Sequence, residues 1–319
     1  MRAAQDVEAD GPVWEVLAGH EDDPNWSMLA LRLMGAVHRL VLEGRAPELA
    51  PFYPSVGGTS DRERAATAFL ATVASNVEAV RRLVDSPVQT NEVGRSAMLV
   101  GGFLLVAAET HLPLRLLEVG ASAGLNLRFD RYFYSSGDAE FGDPSSAVRF
   151  PNAFSEGRPP FDAPLSVAAR AGCDKRPLDP TSENDRLTLL SYLWPDQTER
   201  FANIRSALDI AAGFAVDVER AEALDWITRR LGEPSKGKAT VVFHSIVLQY
   251  LDEDARARFI AAIEGEGKRA TADAPLAWLR MEPGTEDAEL RLTSWPGGEE
   301  RLLARSGFHG PPVRWVANR

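Results

Sequence analysis

A single cysteine, Cys173, excludes an intramolecular disulfide framework. The five histidines stand far apart, without Cys or His neighbours at metal-ligand spacing, so no structural metal is expected. Basic residues are the minority, 35 Lys and Arg against 46 Asp and Glu for a net charge of −11. No basic run interleaves with aromatics, which argues against nucleic acid as a partner. The opening MRAAQDVEAD is acidic and lacks an apolar core, so no export signal is expected. The longest apolar run, Met98 to Ala108, falls short of the ~20 residues that cross a bilayer and is interrupted by Gly101 and Gly102. No repeat or low-complexity tract is present. With these absences the protein is expected to be soluble and cytoplasmic, without a membrane partner. Its 319 residues and 45% hydrophobic content are enough for a large core and about two domains.

The most informative stretch is LRLLEVGASAGLNL, Leu114 to Leu127. Leu114 to Val119 is a short, almost wholly apolar run of the kind found in a parallel strand covered on both faces. It carries one acid, Glu118, and leads into Gly120-Ala121-Ser122-Ala123-Gly124, where two glycines let the backbone approach a ligand. Asn126 opens a pattern that reads as a helix N-terminus. Three site classes use such a turn. A dinucleotide fingerprint, G-x-G-x-x-G, fails because Ser122 and Leu125 stand at its second and third glycines. The nucleophile elbow G-x-S-x-G of α/β hydrolases is satisfied around Ser122, with Asp225 and His244 or His309 following in chain order. The acid-x-Gly-x-Gly-x-Gly turn of Rossmann-like S-adenosylmethionine (SAM) methyltransferases is matched by Glu118, Gly120 and Gly124, with Ser122 at the middle glycine. The last is favoured, because a hydrolase elbow comes late in its sheet and the residues before Leu114 are helical in pattern.

From Val13 to His111 the apolar spacing is helical: Trp26, Leu29, Leu33, Val37, Leu40 and Val41 form one face, and Phe69, Val73, Val77, Val80 and Val84 another. APFYPSVGG between them reads as an ordered loop anchored by Phe52 and Tyr53. At QTNEVGR, Thr90 or Asn91 can cap a helix whose first turn carries Glu92. The alternative is a polar pocket of Gln89, Asn91, Glu92 and Arg95, with Arg95 placed to clamp a carboxylate.

After the glycine turn, RFDRYFYSSGDAEFGDPSSAVRF reads as a hairpin-like insertion and Asn152 to Pro164 as a surface loop. Leu165 to Ala171 is a second strand ending near Asp174, where the methyltransferase pattern uses an acid for a ribose diol; Asp179 is a substitute. Cys173 has no base beside it and reads as an inert thiol. Asn184 to Ala212 is helical and contains Trp194, a core residue or a stacking platform. Phe214 to Val218 makes a third strand, with Glu222 and Asp225 just beyond it. Ala239 to Phe243 makes a fourth and delivers His244 and Ser245 to the carboxyl edge of the sheet, where ligands bind in open α/β sheets; Gln249 and Tyr250 follow. Asp252 to Glu264 is a helix and Pro275 to Met281 a fifth strand. The tail alternates like an antiparallel meander, and EPGTEDA before it is too short for a helix.

Together, EVGASAGLNLRFDRY, QTNEVGRSAML, GCDKRPLDP, YLWPDQTER, ALDW and VVFHSIVLQYL resemble the bacterial family known as domain of unknown function 2332 over nearly the whole chain. The resemblance implies a methyltransferase-like fold without naming a reaction. The expected architecture is α/β and Rossmann-like: a mostly parallel sheet with antiparallel edge strands, a helical cap over residues 1–111, and a domain over 112–319 with insertions at about 128–164 and 180–212. The expected activity is SAM-dependent methyl transfer to a small molecule. Glu118, Gly120, Ala121, Ser122, Gly124, Asn126, Asp174, Glu222 and Ser245 would hold the cofactor. Asn91, Glu92, Arg95 and Trp194 would line the acceptor. His244 would serve as base, with Tyr250 as a positioning hydroxyl. A serine hydrolase built on Ser122, or a non-catalytic small-molecule binder on the same fold, are the alternatives.

Overall fold

The computed structural model describes residues 6, 7, 11–24, 27–233 and 235–317. Trp26 and most of MRAAQDVEAD lie outside them. The chain divides into two compact units, residues 1–90 with 181–205, and 91–180 with 206–319. The sequence reading put the boundary near residue 111. It falls at 90 because the helix Ser96–Thr110 is buried in the core of the second unit. The stretch 181–205, expected as an insertion in the sheet domain, belongs to the first unit.

The first unit is helical, built from Pro12–Leu17, Leu29–Leu42, Arg62–Ser75, Val77–Val84 and Glu183–Ser191. Its core takes the faces that the spacing selects, including Leu33, Val37, Leu40, Val41, Phe69, Val73, Val80 and Val84. Asp61 caps the helix after the APFYPSVGG loop by accepting from the Arg64 amide, and Ser182 caps Glu183–Ser191 through the Asp185 amide. In the loop, Tyr53 is buried and Phe52 packs half-buried on the same core. Arg39 binds the side chain and carbonyl of Asn184 and the Thr188 hydroxyl, which ties 181–205 to this unit.

The second unit is a mixed α/β layer structure. Its strands are β1 (Leu114–Val119), β2 (Phe133–Ser136), β3 (Ala139–Gly142), β4 (Arg149–Phe150), β5 (Phe154–Glu156), β6 (Val167–Asp174), β7 (Asp217–Arg220), β8 (Ala239–Ser245), β9 (Leu276–Pro283), β10 (Ala288–Trp295), β11 (Glu299–Gly307) and β12 (Gly310–Trp315). Nine of them form one sheet in the order β5-β12-β11-β10-β9-β8-β1-β6-β7. The run β7-β6-β1-β8-β9 is parallel, and β9 to β12 continue as an antiparallel meander. β1 is interior and buried at every residue, as its mostly apolar run suggests. Between β9 and β10 the chain turns tightly through Gly284, whose amide donates to Asp287 O, so no helix intervenes and each meander strand lies beside its predecessor. The insertion after β1 holds the β2–β3 hairpin, closed into a small sheet by β4. The expected surface loop then contributes β5, which pairs with the sheet edge at β12.

One face of the large sheet is covered by Ala223–Leu231 and Glu253–Gly267, through a core that includes Leu117, Val119, Trp226, Val242, Phe259 and Trp278. The other carries Ser96–Thr110, where Phe103 packs on Phe129 and Phe243. By length and composition the helical stretch Val93–Thr110 would suffice to cross a membrane, but most of it is buried inside the unit. Gly101 and Gly102, read from sequence as breaks, let this helix approach the sheet. A Cβ on Gly101 would sit 2.3 Å from the Trp315 ring, and one on Gly102 2.4 Å from Leu279. Alanine in a helix interior gains about 1 kcal/mol over glycine, whereas overpacking costs about 1–3 kcal/mol. Gly101→Ala is therefore expected to lower stability, read as a lower urea midpoint. A raised midpoint would contradict this packing.

Candidate functional site

The turn after β1 alternates left-handed residues, with φ of +70° at Gly120, +52° at Ser122 and +68° at Gly124. Ser122 thus holds the conformation that suits glycine, at about 1–3 kcal/mol of strain, in the position where the methyltransferase pattern has its middle glycine. A Cβ on Gly120 would lie 2.6 Å from Val247 Cγ2, so this glycine lets the turn pack against the segment after β8. There Ile246, a β-branched residue, is also left-handed at φ +57°, a backbone outlier. The two neighbouring strands β1 and β8 therefore both end in strained turns at the carboxyl edge, where the strand order reverses.

Five successive amides of the β1 turn are committed to protein acceptors. Ala121 donates to Cys173 O and Gly124 to Ala121 O. Ser122 donates to Asp174 Oδ2 at 2.9 Å, and Ala123 and Leu125 both donate to Asn91 Oδ1 at 3.2 and 3.0 Å. The second oxygen of Asp174 accepts from the Arg176 amide at 2.8 Å. The turn is thus bound by side-chain carboxylate and carboxamide oxygens and does not offer these amides to an anion. The helix expected from Asn126 is only the 3-10 turn Asn126–Arg131, with Arg128 outside helical geometry. Side chains take the carbonyls that a helix would have used: Arg128 Nη1 donates to Ala123 O and Gly124 O, Tyr132 to Leu125 O and Tyr134 to Phe129 O. Without free helix amides or a macrodipole, the phosphate cradle of a dinucleotide site is missing.

Three buried polar atoms on this segment have no hydrogen-bond partner: Glu118 Oε2, Ser122 Oγ and Asn126 Oδ1. Buried polar groups are rarely left unpaired. Glu118 is 1% exposed, and burial raises its carboxyl well above the ordinary range. The Asn126 hydrogen bond and the Arg128 charge oppose that shift without reversing it.

His244 does not reach the carboxyl edge as a free base. It is fully buried. Trp278 Nε1 donates to His244 Nε2 at 3.1 Å; an indole N–H only donates, so Nε2 carries the lone pair and Nδ1 the proton. That proton goes to Glu282 Oε1 at 2.6 Å, which also accepts from the Val247 and Leu248 amides. The Glu282–His244–Trp278 chain fixes the strained turn after β8, and the expected role of His244 as a base is corrected to a structural one.

Other expected site residues are also redistributed. Arg95 donates to Phe308 O and to the carbonyl and hydroxyl of Ser245, and so fastens backbone rather than standing as a clamp. Glu92 accepts from the Gly94 amide and lies 3.6 Å from His309 Nδ1. Asn91 is committed to the turn. Glu222 forms an exposed pair with Lys175 at 3.0 Å, and Tyr250 is 64% exposed. Trp194, 44% exposed, belongs to the first unit. Glu118, Gly120, Ala121, Ser122, Gly124, Asn126, Asp174 and Asn91 do come together. Arg128 and Tyr132 were missed by the sequence reading, because RFDRYFY carries no signal beyond aromatic alternation. Cys173 is buried, with its thiol pushed up to about 12, and is inert. No cluster of metal-ligating side chains is found among the described residues.

Removing the Asn91 carboxamide would strand two buried amides at about 1–3 kcal/mol each. Asn91→Ala is expected to cost about 2–4 kcal/mol in chemical denaturation and Asn91→Asp, which keeps an acceptor, distinctly less. Equal losses would mean that the turn does not depend on this oxygen.

No curated protein and no solved structure matches the chain. A family model matches residues 1–315, and the chain therefore belongs to the family described as an uncharacterised protein conserved in bacteria, DUF2332.

Proposed function

We propose that the second unit is a Rossmann-like, SAM-binding module that transfers a methyl group to a small molecule. The observation that carries this reading is the set of unpartnered buried oxygens of Glu118, Ser122 and Asn126 on a left-handed glycine turn at the carboxyl end of a central parallel strand. Two features support it. Numbered by occurrence, the parallel run reads 3-2-1-4-5, the doubly wound order. The committed amides favour a ligand without phosphates, and an acidic residue in the strand favours one that carries positive charge.

The donor set fits such a cofactor. Glu118, Ser122 and Asn126 would face its polar groups, and Asp174 retains lone pairs for a vicinal diol beyond its two amide bonds. Bound SAM would supply an electrophilic methyl on a sulfonium. This chain's part is then to hold the acceptor in line and exclude water. With His244 occupied, the reading requires an acceptor whose nucleophile already bears a lone pair at neutral pH, because no proton need then be removed. Tyr250, exposed just past β8, keeps its place as a candidate positioning hydroxyl. A cytoplasmic location, a small-molecule acceptor and the lack of nucleic-acid or membrane partners remain part of the proposal.

A second reading, the serine hydrolase, is favoured by the strained backbone and unpaired hydroxyl of Ser122. It lacks the base: no imidazole lies within hydrogen-bond distance of Ser122 Oγ, and a nucleophilic serine needs one.

Calorimetry should detect SAM and S-adenosylhomocysteine but not NAD, with Glu118→Gln and Asp174→Asn each weakening binding about tenfold, or ~1.4 kcal/mol. Absence of heat with both sulfur ligands at millimolar concentration would end this reading.

The raised Glu118 carboxyl makes a separate expectation. The native state holds this proton to higher pH than the unfolded chain does, so stability falls as pH rises from the ordinary carboxyl range through the raised one. Glu118→Gln should therefore stabilise the fold more at pH 8 than at pH 5, measured by urea midpoints. A gain independent of pH would mean that Glu118 is not buried with its proton.

A further inference from the structure

The first unit contains a second serine with a feature that Ser122 lacks. Ser55 lies on the 3-10 turn Pro54–Val56 of the APFYPSVGG loop, half-buried, and its Oγ is 2.8 Å from His38 Nε2. His38 stands on the helix Leu29–Leu42 and is 1% exposed. On the far side of its ring, Nδ1 is 3.1 Å from Ser191 O. A carbonyl oxygen only accepts, so Nδ1 must carry the proton and Nε2 must present its lone pair to the hydroxyl. The serine therefore donates to the imidazole, in the sense required of a nucleophile and its base, and the base is oriented by a third group.

We propose that Ser55 and His38 form a nucleophilic dyad that takes acyl groups from small activated esters, independently of the methyltransferase reading of the second unit. In the acylation step the Ser55 oxygen bonds to the ester carbonyl carbon, its proton passes to His38 Nε2, and the carbonyl electron pair moves to oxygen. Collapse of that intermediate expels the alkoxide or phenolate, which takes the proton back from His38. Water then repeats the exchange on the acyl-serine and releases the carboxylic acid.

The environment selects the substrate class. Tyr53 and Phe201 flank the imidazole with ring centroids at 5.4 and 6.2 Å, and this burial lowers the His38 pKa to about 4, opposed by the hydrogen bonding that the Ser191 and Leu193 carbonyls accept. The base is thus neutral throughout the physiological range. A carbonyl stabilises the imidazolium of the acylation step less than the carboxylate of a Ser-His-Asp triad would. Good leaving groups, such as phenolates and fluoride, are therefore within reach, and amides are not.

The test is labelling of the full chain by a fluorophosphonate probe, with the modified residue mapped by mass spectrometry. The label is expected on Ser55, to be lost in Ser55→Ala, at least tenfold slower in His38→Gln, and undiminished in Ser122→Gly. Because His38 lies in the core, the pH profile provides a second measurement on the unaltered protein. The labelling rate should be flat from pH 8 to 5.5, since the imidazole titrates only near pH 4. Failure to label, a label on Ser122 or another residue, a rate insensitive to His38→Gln, or a fall in rate centred near pH 7 would each overturn the proposal. A label on Ser122 would instead favour the hydrolase reading of the second unit.

Discussion

The second unit depends on the burial of β1. A strand covered on both faces must satisfy its whole backbone within the sheet and must then leave the sheet through a turn that is itself dry. Ala121, Ala123 and Leu125 are essentially without exposure, so every amide of that turn needs an acceptor supplied by protein. Asp174 from the end of β6, Cys173 O and Asn91 supply them. The left-handed residues follow from the same constraint, because the alternation at 120, 122 and 124 turns the amides outward to these acceptors in a few residues.

This arrangement distinguishes two uses of a glycine turn. Where a helix starts directly after the turn, its free amides and dipole collect anions. Here Arg128, Tyr132 and Tyr134 take the carbonyls and no helix begins, while the amides are already bonded. What remains unsatisfied is a set of oxygens, Glu118 Oε2, Ser122 Oγ and Asn126 Oδ1. Such a surface suits hydrogen-bond donors and positive charge. The buried carboxyl of Glu118, raised by desolvation, is the group whose ionisation such a ligand would favour.

The end of β8 is stabilised differently. The amides of Val247 and Leu248, just past the left-handed Ile246, are held by one carboxylate, Glu282, which also binds the proton of His244. A histidine at the carboxyl end of a parallel strand invites a catalytic interpretation, and a third-group carboxylate strengthens it. The partner on Nε2 decides the matter: His244 meets a tryptophan N–H, which fills the lone pair, whereas His38 meets a serine hydroxyl, which can be activated by it.

The sequence by itself determined the elements whose cause is local. The mostly apolar run of Leu114 to Val119, the β-branched run before His244, the helical faces of the first 84 residues and the alternating tail all follow from periodicity, since each records which side of a helix or strand is removed from water. The glycine turn and its cluster of Glu118, Asn126 and Asp174 were legible for the same reason, because left-handed backbone and a charge within an apolar strand are written in residue type. Only the tertiary structure decided which partners those residues meet. Whether Asn91 binds a ligand or two amides, whether Arg95 clamps an acid or fastens Ser245, whether Gly101 interrupts a helix or lets it dock on Trp315, and which of His38 and His244 keeps a free lone pair for a hydroxyl depend on residues distant in the chain or on an atom's orientation. Hydrogen bonds are short-ranged and directional, so they are set by the packing of distant segments and leave no trace in local spacing.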